Sequence, residues 1–77
     1  MNDKQIFGAF LKVKRNRREI TVRDMANMVG LKVGNYCDIE SGRRSPMDNA
    51  FLDRVVNALH VSEDDRDVFF DLARKAR

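Results

Sequence analysis

The sequence predicts an all-α fold in which five helices form one compact bundle. Apolar residues recur at intervals of three and four along most of the 77-residue chain, which is the spacing of a buried helical face. Polar residues able to cap a helix stand before several of these segments, and glycines follow two of them. No segment alternates apolar and polar residues in the way of a half-buried strand. A chain of this length forms one domain, which we expect to span residues 1–77.

The first two helices are predicted near the N-terminus. Helix one is expected from about Lys4 to Arg18, with an apolar stripe and then a basic tail. The stripe consists of Ile6, Phe7, Phe10 and Leu11. Helix two is expected to open at Thr21, whose hydroxyl can cap the free amides while the Asp24 side chain reaches back in a capping box. Gly30 is expected to end this helix in the left-handed conformation.

Residues 21–42 have the pattern of a helix-turn-helix. Helix three is expected from roughly Val33 to Ser41, and Gly42 closes it. Its inward residues are Tyr36 and Ile39. The segment Gly30-Leu31-Lys32 joins it to helix two in a turn of the length that this motif requires. Ala26 supplies the small side chain that two short, closely crossing helices need. The outer side of the second helix in such a pair enters the DNA major groove.

Helices four and five complete the predicted bundle. Asp48 can cap helix four, whose apolar positions are Phe51, Leu52, Val55 and Leu59. Helix five is expected over about residues 63–75, with Ser62 and Asp65 in a second capping box. Its predicted apolar side consists of Val68, Phe69 and Leu72.

The composition excludes several classes of protein. No apolar run approaches the roughly 20 residues of a membrane span. The N-terminus lacks the pattern of a secretory signal, so we expect a cytoplasmic protein. Cys37 has no second cysteine for a disulfide, and His60 alone beside it cannot complete a metal site. No nucleophile paired with a base is visible. We therefore expect no metal, no cofactor, no membrane contact and no enzymatic activity.

The charge is distributed unevenly along the chain. The net charge is +3, which modestly favours a polyanionic partner. Residues 1–44 carry ten Lys and Arg against five acidic residues, whereas residues 45–77 carry five against seven. The first half should therefore face any nucleic acid.

One segment is specific enough to indicate a family. It runs Tyr36-Cys37-Asp38-Ile39-Glu40-Ser41-Gly42-Arg43-Arg44-Ser45-Pro46. Together with Phe7-Gly8, Leu11, Arg15, Thr21, Ala26 and Gly30, it resembles the Cro/cI-type (XRE) helix-turn-helix family over about residues 6–60. The resemblance implies a lambda-repressor-like bundle, double-stranded DNA as the partner, no catalysis, and usually a homodimer on a two-fold symmetric operator.

The resemblance also implies which residues meet DNA. The positions that face base edges are Lys32, Val33, Gly34, Asn35 and Asp38. The positions near phosphates are Thr21, Val22, Arg23, Arg43 and Arg44. Lys32 is favoured as a phosphate anchor over a base reader, and Gly34 as a point of close backbone approach. The family often has Gln where Val22 stands and Gly where His60 stands, departures that bear on the operator more than on the fold.

Several candidate residues have two interpretations. Asn35 makes a bidentate contact with adenine or is a solvated helix residue, and Val33 touches a thymine methyl or covers the edge of the core. Asp38 accepts from a cytosine amino group or, as we favour, pairs with a nearby arginine. Glu40 is expected to form a structural pair with Arg15.

Phe69 and Phe70 are adjacent and cannot both face the same core. Phe70 is therefore the candidate for a homodimer interface, and packing on the N-terminal residues of a monomer is the alternative.

The leading functional hypothesis is a sequence-specific double-stranded DNA-binding transcriptional regulator of bacterial or phage type, acting as a repressor. One alternative is the antitoxin of a toxin-antitoxin pair. Another is a protein-interaction module that keeps the fold without DNA binding, suggested by Val22, Gly34 and Asp38.

Overall fold

Five α-helices and no strand are found in the residues that the computed structural model describes, 1–46 and 48–77. The helices are α1 (Asp3–Arg17), α2 (Val22–Met28), α3 (Val33–Glu40), α4 (Asn49–Leu59) and α5 (Glu63–Ala76). The predicted all-α bundle of five helices is confirmed. Helix α1 packs against α3 and α5, and α2 packs against α3 and α4. Helix α3 is therefore held from two sides.

The residues predicted to cap or terminate helices do so at most helix ends. Thr21, Asp48 and Ser62 each accept a hydrogen bond from the backbone N–H three residues later, at 3.1, 3.1 and 3.3 Å. Gly30 and Gly42 have φ angles of +74° and +81°, the left-handed conformation that glycine adopts without steric cost. These local signals explain why the helix boundaries could be predicted closely.

In each of the two predicted capping boxes, one of the two expected hydrogen bonds is absent from the described residues, so this prediction is wrong in part. Within the described parts of the chain, neither Asp24 nor Asp65 accepts a hydrogen bond from the backbone N–H of its cap residue. Asp65 instead accepts a hydrogen bond from Lys14 of α1 at 2.7 Å. The complete capping box lies at the start of α1, where Asn2 and Gln5 exchange hydrogen bonds of 2.8 and 3.0 Å. The longer glutamine side chain spans the distance that an aspartate does not.

The core is formed by apolar side chains from all five helices and their ends. Its buried members are Phe7, Leu11, Met25, Ala26, Val29, Tyr36, Ile39, Phe51, Leu52, Val55, Leu59, Val61, Phe69, Ala73 and Ala76. Phe69 lies at the junction of α5 and α1, with its ring centroid 5.6 Å from that of Phe7 and 6.0 Å from that of Phe10. This aromatic contact fixes α5 across α1.

Two residues predicted to be in the core are exposed. Ile6 is 38% exposed and Val68 is 50% exposed. The inward face of α5 is set by Phe69, Ala73 and Ala76, which follow one another at intervals of four and three. Val68 lies about 100° around the helix from Phe69, because successive residues of an α-helix turn by that angle. Its position therefore projects away from the core.

Gly8 marks the closest approach between α1 and α3. A Cβ atom at this position would lie 2.2 Å from the carbonyl oxygen of Glu40 and 2.6 Å from that of Ile39. The backbone of α1 therefore touches the C-terminal end of α3 directly, which only glycine permits. This contact determines how α3 is presented to the solvent.

Candidate nucleic-acid interface

The inner face of α3 is attached to α1 by a buried ion pair. The Arg15 Nε and Nη2 atoms donate to the two carboxylate oxygens of Glu40 at 2.8 and 2.9 Å, and Nη1 donates to the Ile20 carbonyl at 2.8 Å. Both side chains of the pair are 9% exposed. The predicted pairing of Glu40 with Arg15 is confirmed. A bidentate arginine at this depth holds the end of α3 in one orientation.

The ionisation states beside this pair are fixed. The hydrogen bond to Glu40 raises the pKa of Arg15, despite the opposing effect of burial. Burial raises the pKa of the Tyr36 phenol, and the nearby Glu40 carboxylate raises it further. Arg15 therefore remains charged and Tyr36 neutral across the physiological pH range.

The outer face of α3 begins with largely exposed residues. Lys32, Val33 and Gly34 are exposed, and Asn35 is half-buried. The Lys32 side chain makes no capping hydrogen bond at the start of α3. Apart from its chain neighbours and the backbone of its own helix, no heavy atom of the described residues lies within 4 Å of a Cβ built on Gly34. This end of the helix has room for another molecule to approach its backbone.

The start of α2 lies beside these residues. Arg23, Asp24 and Asn27 of α2 line one shallow groove with Lys32 and Val33, which lie at the start of α3. The structure thus brings one candidate phosphate residue together with two candidate base-facing residues. Asn27 was not predicted, although it stands one turn after Arg23 and is exposed. That spacing on α2 is the signal that would have found it.

The other candidates on α2 are only partly available. The exposed Thr21 uses its hydroxyl oxygen to accept the hydrogen bond that caps α2. Val22 is half-buried, and its side chain packs against the core. The apolar side chain of Val22 offers no hydrogen bond to a phosphate, so its backbone N–H is the group that can serve there.

The loop after α3 contains two exposed arginines in different states. Arg43 forms an ion pair with Asp38, with Nε and Nη2 at 3.1 and 3.0 Å from the same oxygen, Oδ1. This confirms that Asp38 pairs with a nearby arginine. Arg44 forms no ion pair with the described residues. The backbone N–H groups of both arginines donate to the Asp38 carbonyl, at 2.9 and 3.1 Å. The loop is therefore anchored to α3 through its main chain.

Phe70 lies at the edge of the aromatic cluster. Its ring meets that of Phe69 edge-on at 5.2 Å between centroids, and 38% of the residue is exposed. It lines a surface groove with Asp53, Val56 and Asn57 of α4. The side chain thus lies beside α4.

The described parts of the chain contain no group of three or more His, Cys, Asp or Glu side chains placed to hold a metal ion. None of the described helices is both long enough and apolar enough to cross a membrane. Cys37 is a free, half-buried thiol on α3.

The comparison with protein families agrees with this geometry. A family model described as a helix-turn-helix domain matches residues 6–69. The match begins in α1, includes α2, the turn and α3, and ends within α5. No curated protein and no solved structure matches the chain. The chain belongs to the helix-turn-helix domain family.

Proposed function

We propose that this protein binds double-stranded DNA in a sequence-specific manner and represses transcription by occupying its operator. The observation that carries the proposal is the groove in which Arg23 of α2 meets Lys32 and Val33 at the start of α3. The second helix of this motif enters the major groove while the first crosses the backbone. A free Cys37 thiol suits a reducing cytoplasm of a bacterial or phage host.

The residues divide into those that anchor the backbone and those that read bases. The anchoring groups are Thr21, the Val22 amide, Arg23, Lys32, Arg43 and Arg44. Long cationic side chains in a loop reach phosphates without a fixed orientation toward base edges. The reading positions are Val33, Asn35 and Asp38, with Gly34 giving the DNA room to approach the helix. The amide of Asn35 can satisfy both hydrogen-bonding groups of an adenine edge.

Salt-dependent binding tests the division of roles. Arg44→Ala should weaken binding to operator and scrambled duplexes alike. It should also reduce the magnitude of the salt slope by about 0.9, the value for one lost phosphate contact. Lys75→Ala is the control, because Lys75 is an exposed cationic residue on α5 rather than beside α3, and it projects from another side of α5 than Phe70. It should leave the slope unchanged. Fluorescence anisotropy titrations at several salt concentrations measure both quantities.

A different outcome would favour the protein-interaction module. If the wild-type protein binds no duplex at low salt, or binds with no salt dependence, the proposed DNA-binding function is wrong. Equal effects of Arg44→Ala and Lys75→Ala would show that a general charge effect, rather than this surface, attracts DNA.

We further propose that the protein is a homodimer through α5. The partly exposed ring of Phe70 supports this arrangement, because an aromatic side chain at a symmetric interface can bury the area that α4 leaves open. A dimer would place two copies of α3 on successive turns of one face of the duplex, on a two-fold symmetric site.

Sedimentation analysis tests the dimer directly. Phe70→Glu should give monomers that keep the helical circular dichroism spectrum. Val68→Glu is the matched control, since Val68 is exposed on another side of α5, and it should leave the dimer intact. A wild-type protein that stays monomeric at high micromolar concentration would contradict the dimer and favour binding to a half-site.

A further inference from the structure

The carboxylate of Asp38 places a negative charge on the helix that is proposed to bind DNA. It lies on α3, three residues after Asn35, so both side chains project from neighbouring positions of the helix. The side chain of Asp38 is 43% exposed and that of its partner Arg43 is 69% exposed. A negative charge at this position opposes a phosphate backbone unless it is neutralised.

The ion pair turns the Arg43 side chain toward the protein. Two of the guanidinium nitrogens that could donate to a phosphate, Nε and Nη2, both point at Asp38 Oδ1. The second oxygen, Oδ2, accepts no hydrogen bond from the residues that the structure describes. A carboxylate and a phosphate bind the same donors of arginine in the same geometry. Asp38 therefore competes with DNA for Arg43.

The backbone of the loop does not depend on this pair. The Asp38 carbonyl accepts from the amides of Arg43 and Arg44 and from the Ser41 hydroxyl. Neutralising the carboxylate therefore leaves the loop where it is. Only the direction in which the Arg43 side chain points is free to change.

We propose that Asp38 determines specificity by controlling the availability of Arg43. On duplexes that offer the carboxylate no donor, Asp38 keeps Arg43 away from the phosphates. Where a cytosine amino group lies opposite α3, it donates to the Asp38 carboxylate, withdraws negative charge from it and so weakens its hold on Arg43, which then turns to the DNA backbone. Discrimination thus includes a penalty against the wrong sequence in addition to a contact with the right one. This inference rests on the DNA-binding function proposed above.

The expected effect is moderate because the pair is exposed. Asp38→Asn should tighten binding to scrambled duplex by about 1.4-fold to fivefold, the range of a surface ion pair. The salt slope on scrambled DNA should rise in magnitude by about 0.9, equal to one added phosphate contact. On the selected operator the slope should stay unchanged, because Arg43 is already released there. The ratio of operator to scrambled affinity should therefore fall.

A matched control separates this effect from simple loss of negative charge. Asp24→Asn removes one charge from the groove beside Lys32 without touching Arg43. On scrambled DNA, Asp38→Asn should raise the affinity more than Asp24→Asn does. This difference should disappear when each substitution is made separately in an Arg43→Ala background. Asp38→Ala, which removes the acceptor entirely, should match Asp38→Asn in its salt slope.

The outcomes distinguish the two proposals. If wild-type protein binds duplex with the expected salt dependence but Asp38→Asn and Asp24→Asn have equal effects, the role of Asp38 is refuted and DNA binding stands. The same holds if the Asp38→Asn gain persists in full with Arg43→Ala. If wild-type protein binds no duplex, both proposals fall. Anisotropy titrations of these variants on both duplexes, at three or more salt concentrations, give all the quantities.

Discussion

Helix α3 carries two ion pairs that differ chiefly in burial. Glu40 is bonded to Arg15 with both side chains 9% exposed, whereas Asp38 and Arg43 are 43% and 69% exposed. A buried charge that loses its partner cannot be solvated, so the inner pair must persist. The outer pair is screened by water and can exchange its partner at little cost. One side of α3 therefore fixes the position of the helix, whereas the other side can exchange its contacts with a partner.

Breaking the inner pair should have the largest effect on stability. Arg15→Ala leaves the Glu40 carboxylate buried without its guanidinium and should lower the free energy of unfolding by about 3 to 5 kcal/mol. The loss is large for a domain of this size. Urea denaturation followed by circular dichroism measures it.

Two further variants test this prediction. Arg43→Ala breaks the outer pair and should cost at most about 1 kcal/mol. The double substitution Arg15→Leu with Glu40→Leu should recover much of the lost stability, because it removes both buried charges. If Arg15→Ala and Arg43→Ala lower the free energy of unfolding equally, the proposed contrast between the buried and the exposed pair is wrong.

The backbone contact at Gly8 gives the next largest effect. Gly8→Ala places a methyl group 2.2 Å from the Glu40 carbonyl oxygen. Helix α1 must move away from α3, which should destabilise the domain by about 1 to 3 kcal/mol. Thermal denaturation measures the loss. An unchanged or raised melting temperature would mean that the helices separate freely and that this contact does not position α3.

The outer glycine of α3 should respond in the opposite direction. Gly34 lies inside the helix, and a Cβ added there meets none of the described residues beyond its own helix backbone, so Gly34→Ala gains helix propensity without a clash. We expect stability to rise by about 0.5 to 1 kcal/mol. Duplex binding should weaken, because the added methyl stands where DNA approaches. Increased stability with unchanged binding would contradict the role of Gly34 at the interface.

The smallest predicted effect concerns the half-exposed pair of Lys14 and Asp65. The hydrogen bond from Lys14 lowers the pKa of the Asp65 carboxyl in the folded protein. Because the folded value lies below the unfolded one, the pair stabilises the fold above the ordinary carboxyl pKa of about 3.9 and this contribution is lost as the pH falls through the lowered value.

Replacing Lys14 tests this linkage. Lys14→Met should reduce the acid-dependent part of the stability and leave stability near pH 7 only slightly lower. Urea midpoints at pH 7 and at about pH 3 for both proteins give the comparison. An acid dependence as steep as that of the wild type would place its origin in other carboxyls.

The sequence predicted those parts of the fold that local chemistry determines. Helix ends followed from caps such as Thr21 and Asp48 and from the glycines at positions 30 and 42, because these act through neighbouring residues alone. The sequence also predicted the pairing of Arg15 with Glu40, whereas the burial of both side chains became apparent only from the packing of α1 against α3.

Features set by packing between helices were harder to predict. Ala73 and Ala76 belong to the core in place of Val68, because they lie on the same face of α5 as Phe69. The interface at Gly8 likewise depends on how two distant segments cross. At the candidate site, Asn27 was missed because its relevance comes from the groove it shares with Lys32.

Selection of duplexes from a random library, with the wild-type protein and with Asn35→Ala, tests most directly the claim that the outer face of α3 reads DNA. The wild type should enrich one sequence, and a dimer would make that sequence two-fold symmetric. Asn35→Ala should enrich the same sequence with its preference lost at one adenine of each half-site, and should bind the wild-type sequence about 1 to 3 kcal/mol less tightly. Failure of the wild type to enrich any sequence, or an Asn35→Ala selection identical to that of the wild type, would contradict the claim.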